Sequence, residues 1–151
     1  MEIHENGDFM ELKFKLNQKE DCYKIREKVF MEEQGFEVEF DDIDNFCTFI
    51  TLYDGDQCIG CARFFDGQEE GIKIFGRLAV LKEYRGQKLG TRILKYAEDI
   101  MREQDVREIH LHAQCHAVPF YIGLGYVSYG EVELDETVEH IWMKKVLKRV
   151  E

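Results

Sequence analysis

One stretch, residues 75–101, constrains the fold of this chain more than any other. An apolar run at residues 75–81 has the composition of a strand, and a basic turn with two glycines follows it at residues 84–90. After this glycine turn, apolar residues recur at the period of a helix that begins near Gly90 or Thr91: Leu89, Ile93, Tyr96, Ala97, Ile100 and Met101. The stretch therefore predicts a strand, a tight turn and a helix in succession.

The glycine turn, residues 84–90, has the features of an anion-binding site. The first N–H groups of a helix have no partner within the helix, and the positive end of the helix dipole is exposed there. Glycine lets the main chain approach a phosphate closely, and Arg85 and Lys88 add positive charge. The alternative is a tight strand-to-helix connection that binds nothing, and the turn alone does not decide between the two.

Composition and charge exclude several kinds of partner. The chain has 151 residues, with 31 acidic and 20 basic side chains and a formal charge of −11, which argues against binding to nucleic acid or to an anionic membrane. A cationic amine substrate suits such a field better. We find no apolar run long enough to span a bilayer. We expect a single domain over residues 1–151, with residues 1–9 loosely attached.

The cysteines indicate a reducing compartment. An odd number of them, five, is scattered through a chain without a recognisable signal peptide, which predicts free thiols and a cytoplasmic location. Cys58 and Cys61 form a CxxC inside a strand-like run, and no second CxxC completes a zinc site, so we interpret both as packing residues. A second group has metal-ligand side chains, but we expect no metal there either: His110, His112, Cys115 and His116.

The first third of the chain predicts a strand, a helix and an acidic segment. The strand covers residues 12–16, and Asn17 with Glu20 resembles a capping box for a helix that ends near Glu33. Arg26 and Glu33 would lie on the flanks of this helix. Its buried stripe would consist of four residues: Cys22, Ile25, Val29 and Phe30. The acidic segment, residues 34–44, is either a charged loop without a role or a surface that attracts an amine.

The rest of the chain predicts three further strands, then the central helix, and then a smaller set of elements. Strands at 46–53 and 57–65 are joined by Asp54-Gly55-Asp56, and a turn at 66–68 leads to a strand at 72–81. After the central helix, which ends near residue 104, we predict a strand at 109–113, a short helix at 117–124 with Pro119 in its first turn, and a final hairpin of strands 126–134 and 141–146. A strand, helix and strand in succession imply a right-handed parallel crossover.

Two motifs in this order of elements resemble those of the GCN5-related N-acetyltransferase (GNAT) family. Its acyl-CoA signature is Arg or Gln, two residues, Gly, one residue, then Gly or Ala, and it is matched by Arg85, Lys88 and Gly90 after Leu78-Ala79-Val80. Lys88 stands where the family usually has glycine. The second motif is matched, with glutamine in place of the usual asparagine, by Gln114, Ala117, Phe120 and Tyr121 followed by Leu124-Gly125-Tyr126.

Within the family the chain is similar to a small bacterial branch of uncharacterised members. The matching residues are Val29-Phe30, Glu33-Gln34, the acids from Asp41 to Asp44, and His140-Ile141-Trp142-Met143. The resemblance implies an α+β GNAT fold. Its mixed central sheet would have antiparallel N-terminal strands, a parallel pair around the cofactor slot and a C-terminal hairpin.

The resemblance also implies acetyl-CoA as the acyl donor. The pantetheine arm would lie along Leu78, Ala79 and Val80. Arg85 and the backbone from Gly86 to Thr91 would hold the pyrophosphate, that is, Gly86, Gln87, Lys88, Leu89, Gly90 and Thr91. Further cofactor contacts would come from the second motif, at Gln114, Ala117, Phe120 and Tyr121.

The implied activity is direct transfer of acetyl to a primary amine of a small molecule or peptide. Tyr121 is the candidate general acid for the leaving thiolate, although an aromatic residue at this spacing also suits packing. Glu33 and His140 are the candidate general bases, and water is an alternative to both. A non-catalytic acyl-CoA-binding module is the competing hypothesis, and a homodimer through the final strands is expected by analogy only.

Overall fold

The first part of the chain combines short strands with one long helical stretch. The structure is a computed structural model that describes residues 2–3, 9–37 and 39–147. Up to residue 66 its elements are β1 (Glu2–Ile3), β2 (Phe9–Met10), β3 (Leu12–Leu16), α1 (Lys19–Arg26), a π-helical segment (Glu27–Glu33), a 3₁₀ turn (Asp42–Asn45), β4 (Thr48–Asp54) and β5 (Gln57–Asp66). Most of the lead-in predicted to be loose, residues 1 and 4–8, lies outside the described residues, whereas β1 pairs with β2.

The second part contains the central helix and the C-terminal hairpin. Its elements are β6 (Ile72–Val80), a 3₁₀ turn (Lys82–Tyr84), α2 (Leu89–Glu103), β7 (Glu108–Gln114), a 3₁₀ turn (Cys115–Ala117), α3 (Val118–Ile122), β8 (Val127–Asp135) and β9 (Val138–Val146). The chain packs as two compact units, of which unit 1 comprises residues 1–63 and 77–97 and unit 2 comprises residues 64–76 and 98–151. Both β6 and α2 contribute residues to both units.

Unit 1 is built on antiparallel strands covered by the first helix. The strands lie in the order β3-β4-β5-β6, with Leu12 opposite Asp54 and Leu16 opposite Ile50. The predicted buried stripe of the first helix is confirmed, because all four side chains are buried: Cys22, Ile25, Val29 and Phe30. The hairpin predicted at Asp54-Gly55-Asp56 is confirmed as well, with Gly55 at a φ of +58°.

The predicted capping box at Asn17 is wrong. Asn17 has a φ of +60°, and its backbone N–H donates to the Phe49 carbonyl at 2.8 Å. Its side-chain oxygen accepts from the Phe49 N–H at 3.1 Å, so it is used by a neighbouring strand and not by the helix. The helix begins after Gln18, at Lys19, without a side-chain cap. A polar residue between a strand and a helix can bond to either element, and Asn17 bonds to the neighbouring strand.

Unit 2 contains the parallel pair and the final hairpin. Its strands lie in the order β6-β7-β9-β8. β6 runs parallel to β7, with Ile72 opposite Glu108, whereas β9 is antiparallel to both β7 and β8. The predicted α+β arrangement with a mixed pattern of strand pairing is thus confirmed. No helix in the described part of the chain has both the length and the apolarity to cross a bilayer.

Candidate functional site

The glycine turn lies in unit 1, between the end of β6 and the start of α2. The first helical hydrogen bond of α2 runs from the Arg92 N–H to the Lys88 carbonyl, at 3.2 Å. The N–H groups of Leu89, Gly90 and Thr91 precede it, so they have no acceptor within the helix. The predicted succession of strand, turn and helix is confirmed, and it presents backbone donors at the positive end of a 15-residue helix.

Lys88 adopts a backbone conformation that favours glycine. Its φ is +62°, in the left-handed region, where a side chain costs about 1–2 kcal/mol relative to the ordinary helical region. Gly86 in the same turn has a φ of +84°. The turn therefore needs two left-handed residues, which gives a backbone reason for a glycine at position 88. Here the chain keeps the conformation with a lysine, whose side chain is exposed.

Arg85 and Glu33 form a bidentate ion pair next to the turn. The Arg85 Nη1 and Nη2 groups donate to the two Glu33 carboxylate oxygens at 2.5 and 2.8 Å. The Arg85 Nε–H donates to the carbonyl of Val80, the last residue of β6, at 2.9 Å. The hydrogen bonds from Arg85 lower the pKa of Glu33, so this candidate base is held in its ionised form. The sequence assigned these two residues to separate roles, and the structure brings them together.

The predicted pantetheine-binding residues lie at the C-terminal end of β6. Ala79 is buried, while Leu78 and Val80 are partly exposed. The next residue, Leu81, donates its N–H to the carbonyl of Ile59 in β5, at 2.9 Å. This bond fixes the end of the strand just before the glycine turn begins.

The second motif lies in unit 2, where β7 passes into α3. Gln114 is the last residue of β7, and its side-chain oxygen accepts from the His116 Nε2–H at 2.6 Å. Ala117 precedes α3, and Pro119 lies in the first turn of that helix as predicted. Phe120 is partly exposed, and its ring meets that of Tyr121 edge to face at 5.0 Å.

Tyr121 is 8% exposed and packs against two aromatic rings. Phe120 and Tyr126 each meet its ring edge to face, at 5.0 and 5.9 Å between ring centroids. Among the described residues, none forms a hydrogen bond with its hydroxyl. Burial raises the pKa of Tyr121, so the phenol keeps its proton at neutral pH.

His140, the other candidate base, lies opposite Gln114 in the pairing of β9 with β7. Its Nδ1 is 3.0 Å from the Val138 carbonyl, which can only accept, so Nδ1 carries the proton of the neutral ring. The ring stacks on that of His112 at 4.9 Å, and His112 stacks in turn on Trp142 at 4.8 Å. His140 is thus a buried member of an aromatic row.

The candidate metal ligands are dispersed among other contacts. His110 approaches the Tyr129 hydroxyl at 2.6 Å, and His112 belongs to the aromatic row. Within the described ranges, no group of three or more histidine, cysteine or acidic side chains is arranged to hold a metal ion. The five cysteines are all free thiols, and Cys58 and Cys61 each contact a backbone carbonyl, those of Gly60 and Arg77.

Sequence reasoning missed a buried ion network in unit 1. Arg26 is fully buried, not on the helix flank, and donates to Glu39 at 2.8 Å and to Asp44 at 2.7 Å. A signal for this was present, because Arg26 lies four residues from both Cys22 and Phe30 on the buried stripe. The network means that the first helix binds the acidic segment through charge as well as through apolar packing.

Two further arginines complete this network. Arg63 of β5 donates to Asp41 at 2.7 Å and to Asp44 at 2.8 Å, and Arg77 of β6 is paired with Glu39 at 2.7 Å. Burial alone would raise the pKa of Asp44, but the hydrogen bonds from Arg26 outweigh it and lower that pKa to about 2. These three carboxylates of the acidic segment are committed to arginines. Of the two alternatives for the acidic segment, this pairing makes an amine-attracting surface the less favoured one.

Comparison with known proteins identifies the family of this chain. The family model for the acetyltransferase (GNAT) domain matches residues 18–147. The chain is 34% identical over 131 residues to the uncharacterized N-acetyltransferase YjcF of Bacillus subtilis, an alignment that covers 85% of this chain and 92% of that protein. These two matches cover both the glycine turn and the second motif.

Solved structures agree on the fold. A candidate N-acetyltransferase from Lactobacillus plantarum superposes with a TM-score of 0.84 at 28% identity, covering 91% of this chain and 99% of that one. An acyl-CoA N-acyltransferase from Pseudomonas aeruginosa superposes with a TM-score of 0.80 at 24% identity, covering 89% and 99%. With the strand, glycine turn and helix in place and Tyr121 at the end of the second motif, the chain belongs to the GNAT acetyltransferase family and is an acyl-CoA-dependent acetyltransferase.

Proposed function

We propose that the protein transfers acetyl from acetyl-CoA to a primary amine of a small molecule or peptide, directly and within a ternary complex. The observation that carries this proposal is the glycine turn. Its backbone adopts the two left-handed residues that bring N–H groups to the start of α2, even though one of the two is Lys88. A main chain that bears this cost where backbone donors are exposed is suited to holding a diphosphate.

We assign the cofactor contacts by element. The N–H groups from Gly86 to Thr91 hold the diphosphate, and the exposed ammonium of Lys88 contributes charge. The end of β6, residues 78–80, contacts the pantetheine arm and supplies an N–H group to polarise the thioester carbonyl. The second motif contributes the remaining contacts, from Gln114, Ala117, Phe120 and Tyr121.

Tyr121 is our assigned general acid. The amine nitrogen forms a bond to the acetyl carbon, the bond between that carbon and the CoA sulfur breaks, and the Tyr121 hydroxyl gives its proton to the departing thiolate. The ring contacts with Phe120 and Tyr126 hold Tyr121 in place, and its raised pKa means that the phenol carries its proton at neutral pH.

The amine must lose a proton before or during attack. We retain His140 as the candidate base beside water. Glu33 is a poorer candidate, because its carboxylate is bound by Arg85 and its pKa is lowered. Proton loss to water suffices if the acceptor amine is exposed.

The test is release of CoA from acetyl-CoA in the presence of a panel of amines: a polyamine, an aminoglycoside and a lysine peptide. Free CoA should be separated chromatographically, because the five free cysteines of the protein would react with a thiol dye. Release that depends on the amine supports the proposal. CoA binding without release for any acceptor would instead favour the non-catalytic binding module, and an acetylated Cys115 found by mass spectrometry would contradict direct transfer.

A further inference from the structure

We infer that Glu33 and Arg85 are positioning residues that brace the glycine turn, and that neither performs the chemistry. The brace consists of the contacts from Arg85 to Glu33 and to Val80. This inference rests on the proposed function, since it concerns how the same turn is prepared for a diphosphate.

The geometry of Arg85 suits a bracing role. One side chain joins three elements: its own turn, the end of β6 through the Val80 carbonyl, and the end of the π-helical segment through Glu33. A guanidinium fixed on both its Nε and its Nη edges has little freedom to follow a ligand. Arg85 therefore sets the position at which the turn leaves the strand.

The charge of the pair also favours a bracing role. The Glu33 carboxylate neutralises the Arg85 guanidinium at 2.5 Å, so the pair as a whole attracts a diphosphate only weakly. The cation that remains in the turn is Lys88. A direct phosphate contact from Arg85 would require it to share or leave the carboxylate that it binds in a bidentate manner.

The helix that carries Glu33 has an unusual local geometry. Glu27–Glu33 is π-helical, a wider turn than the α-helix before it, and Glu33 is its last residue. π-helical turns are rare and occur frequently at functional sites. The Arg85 and Glu33 side chains are 39% and 35% exposed, and an ion pair this open contributes little to stability. The ion pair between Arg85 and Glu33 therefore positions the glycine turn more than it stabilises the protein.

The experiment is a double-mutant cycle on CoA binding, with Glu33→Ala, Arg85→Ala and the double variant measured by calorimetry at several salt concentrations. If the two residues form one brace, each single variant raises the Kd for CoA about tenfold, and the double variant is no weaker than either single. The salt dependence of Kd for the double variant should stay that of the wild type, because removing both members of the ion pair leaves the net charge beside the ligand unchanged.

Three results would overturn the brace. Losses that add, with a shallower salt dependence for Arg85→Ala, would show that Arg85 contacts the phosphates directly. Tighter binding by Glu33→Ala would show that Glu33 competes with the cofactor. A loss of kcat in Glu33→Gln with an unchanged KM for acetyl-CoA, together with a lost limb of the pH profile, would show that Glu33 is the base.

Two controls separate these outcomes from misfolding and from failure of the proposed function. Arg85→Gln keeps one N–H donor near the position of Nε, which can serve the Val80 carbonyl, and should recover part of the affinity lost in Arg85→Ala. Wild-type protein that does not bind CoA would end both the proposed function and the brace, whereas wild-type binding with additive losses would end the brace alone.

Discussion

Lys88 combines a left-handed backbone conformation with a place in the proposed diphosphate-binding turn. Its φ of +62° predicts that Lys88→Gly stabilises the protein by about 0.5–1 kcal/mol. Relief of a left-handed side chain, about 1–2 kcal/mol, is partly offset by the greater freedom of glycine in the unfolded chain. Urea denaturation monitored by circular dichroism measures the change.

Lys95→Gly is the matched control for Lys88→Gly. Lys95 is exposed in the middle of α2, where glycine costs about 1 kcal/mol relative to good helix formers. The two substitutions should therefore shift stability in opposite directions. If both destabilised the protein by similar amounts, position 88 would not have the conformation described here.

Tyr121 provides the second prediction at the scale of residues. Tyr121→Phe should lower kcat by about 100-fold, at the low end of what general acids contribute, because a thiolate is a good leaving group. The Kd for CoA should change little, since the ring and its contacts with Phe120 and Tyr126 remain. Steady-state kinetics combined with calorimetry separates the two quantities.

Tyr126→Phe is the control for that substitution. The Tyr126 hydroxyl donates to the buried carboxylate of Glu98 at 2.8 Å, so its loss should reduce stability by about 1–2 kcal/mol and leave kcat near that of the wild type. Equal losses of kcat and CoA affinity in Tyr121→Phe would assign Tyr121 to packing.

At the scale of elements, ion pairs with arginines hold the acidic segment in place. These ion pairs predict that the stability of the protein depends on pH. The pKa of Asp44 lies at about 2 in the folded protein, below its ordinary value of 3.8. A lowered carboxyl pKa stabilises the fold above the unfolded value and loses that effect as the pH falls through the folded value. Between about pH 4 and pH 2 the wild type should therefore lose about 2 kcal/mol through this carboxylate.

Asp44→Asn tests that dependence against Asp42→Asn. The first variant should be less stable at pH 6 and should show a flatter decline below pH 4, whereas the second removes an exposed carboxylate and should follow the wild type. Urea titrations across pH 2 to 6 provide the comparison. Glu39, whose pKa is raised by burial, acts in the opposite sense but is present in all three proteins. Parallel curves for Asp44→Asn and wild type would contradict the network.

Close packing around β5 gives a second prediction for the elements. A Cβ on Gly60 would lie 2.9 Å from Ile93 Cδ1 and 3.1 Å from the Ala79 carbonyl, whereas one on Gly76 would meet nothing within 4 Å. Gly60→Ala should cost about 1–3 kcal/mol and Gly76→Ala should be close to neutral. Thermal unfolding of the pair measures the difference. Equal effects would mean that α2 does not pack against Gly60 this closely.

What the sequence could predict depended on whether the signal was local. Apolar periodicity and turn residues located the strands, α2 and α3, and the glycine turn followed from its own seven residues. The partners of Arg26, Arg63 and Arg85 are far away in sequence, and nothing in the local pattern specifies which carboxylate each one binds. Asn17 failed for the same reason, since its partner Phe49 lies in a strand 32 residues later.

At the scale of the whole molecule, we propose that residues 1–151 fold as one domain, because β6 and α2 each supply residues to both compact units. Cooperative unfolding in a single transition is the corresponding expectation. The homodimer and the cytoplasmic location expected from the sequence stay predictions. We propose more specifically that the backbone of the glycine turn binds the diphosphate of the cofactor.

The most direct test of that claim compares two ligands by calorimetry on the wild-type protein: CoA, and pantetheine, which has the thiol arm but no diphosphate. We predict that CoA binds at least about 100-fold more tightly, because only CoA reaches the N–H groups at the start of α2. Equal affinity for the two ligands, or no heat with millimolar CoA, would contradict the account.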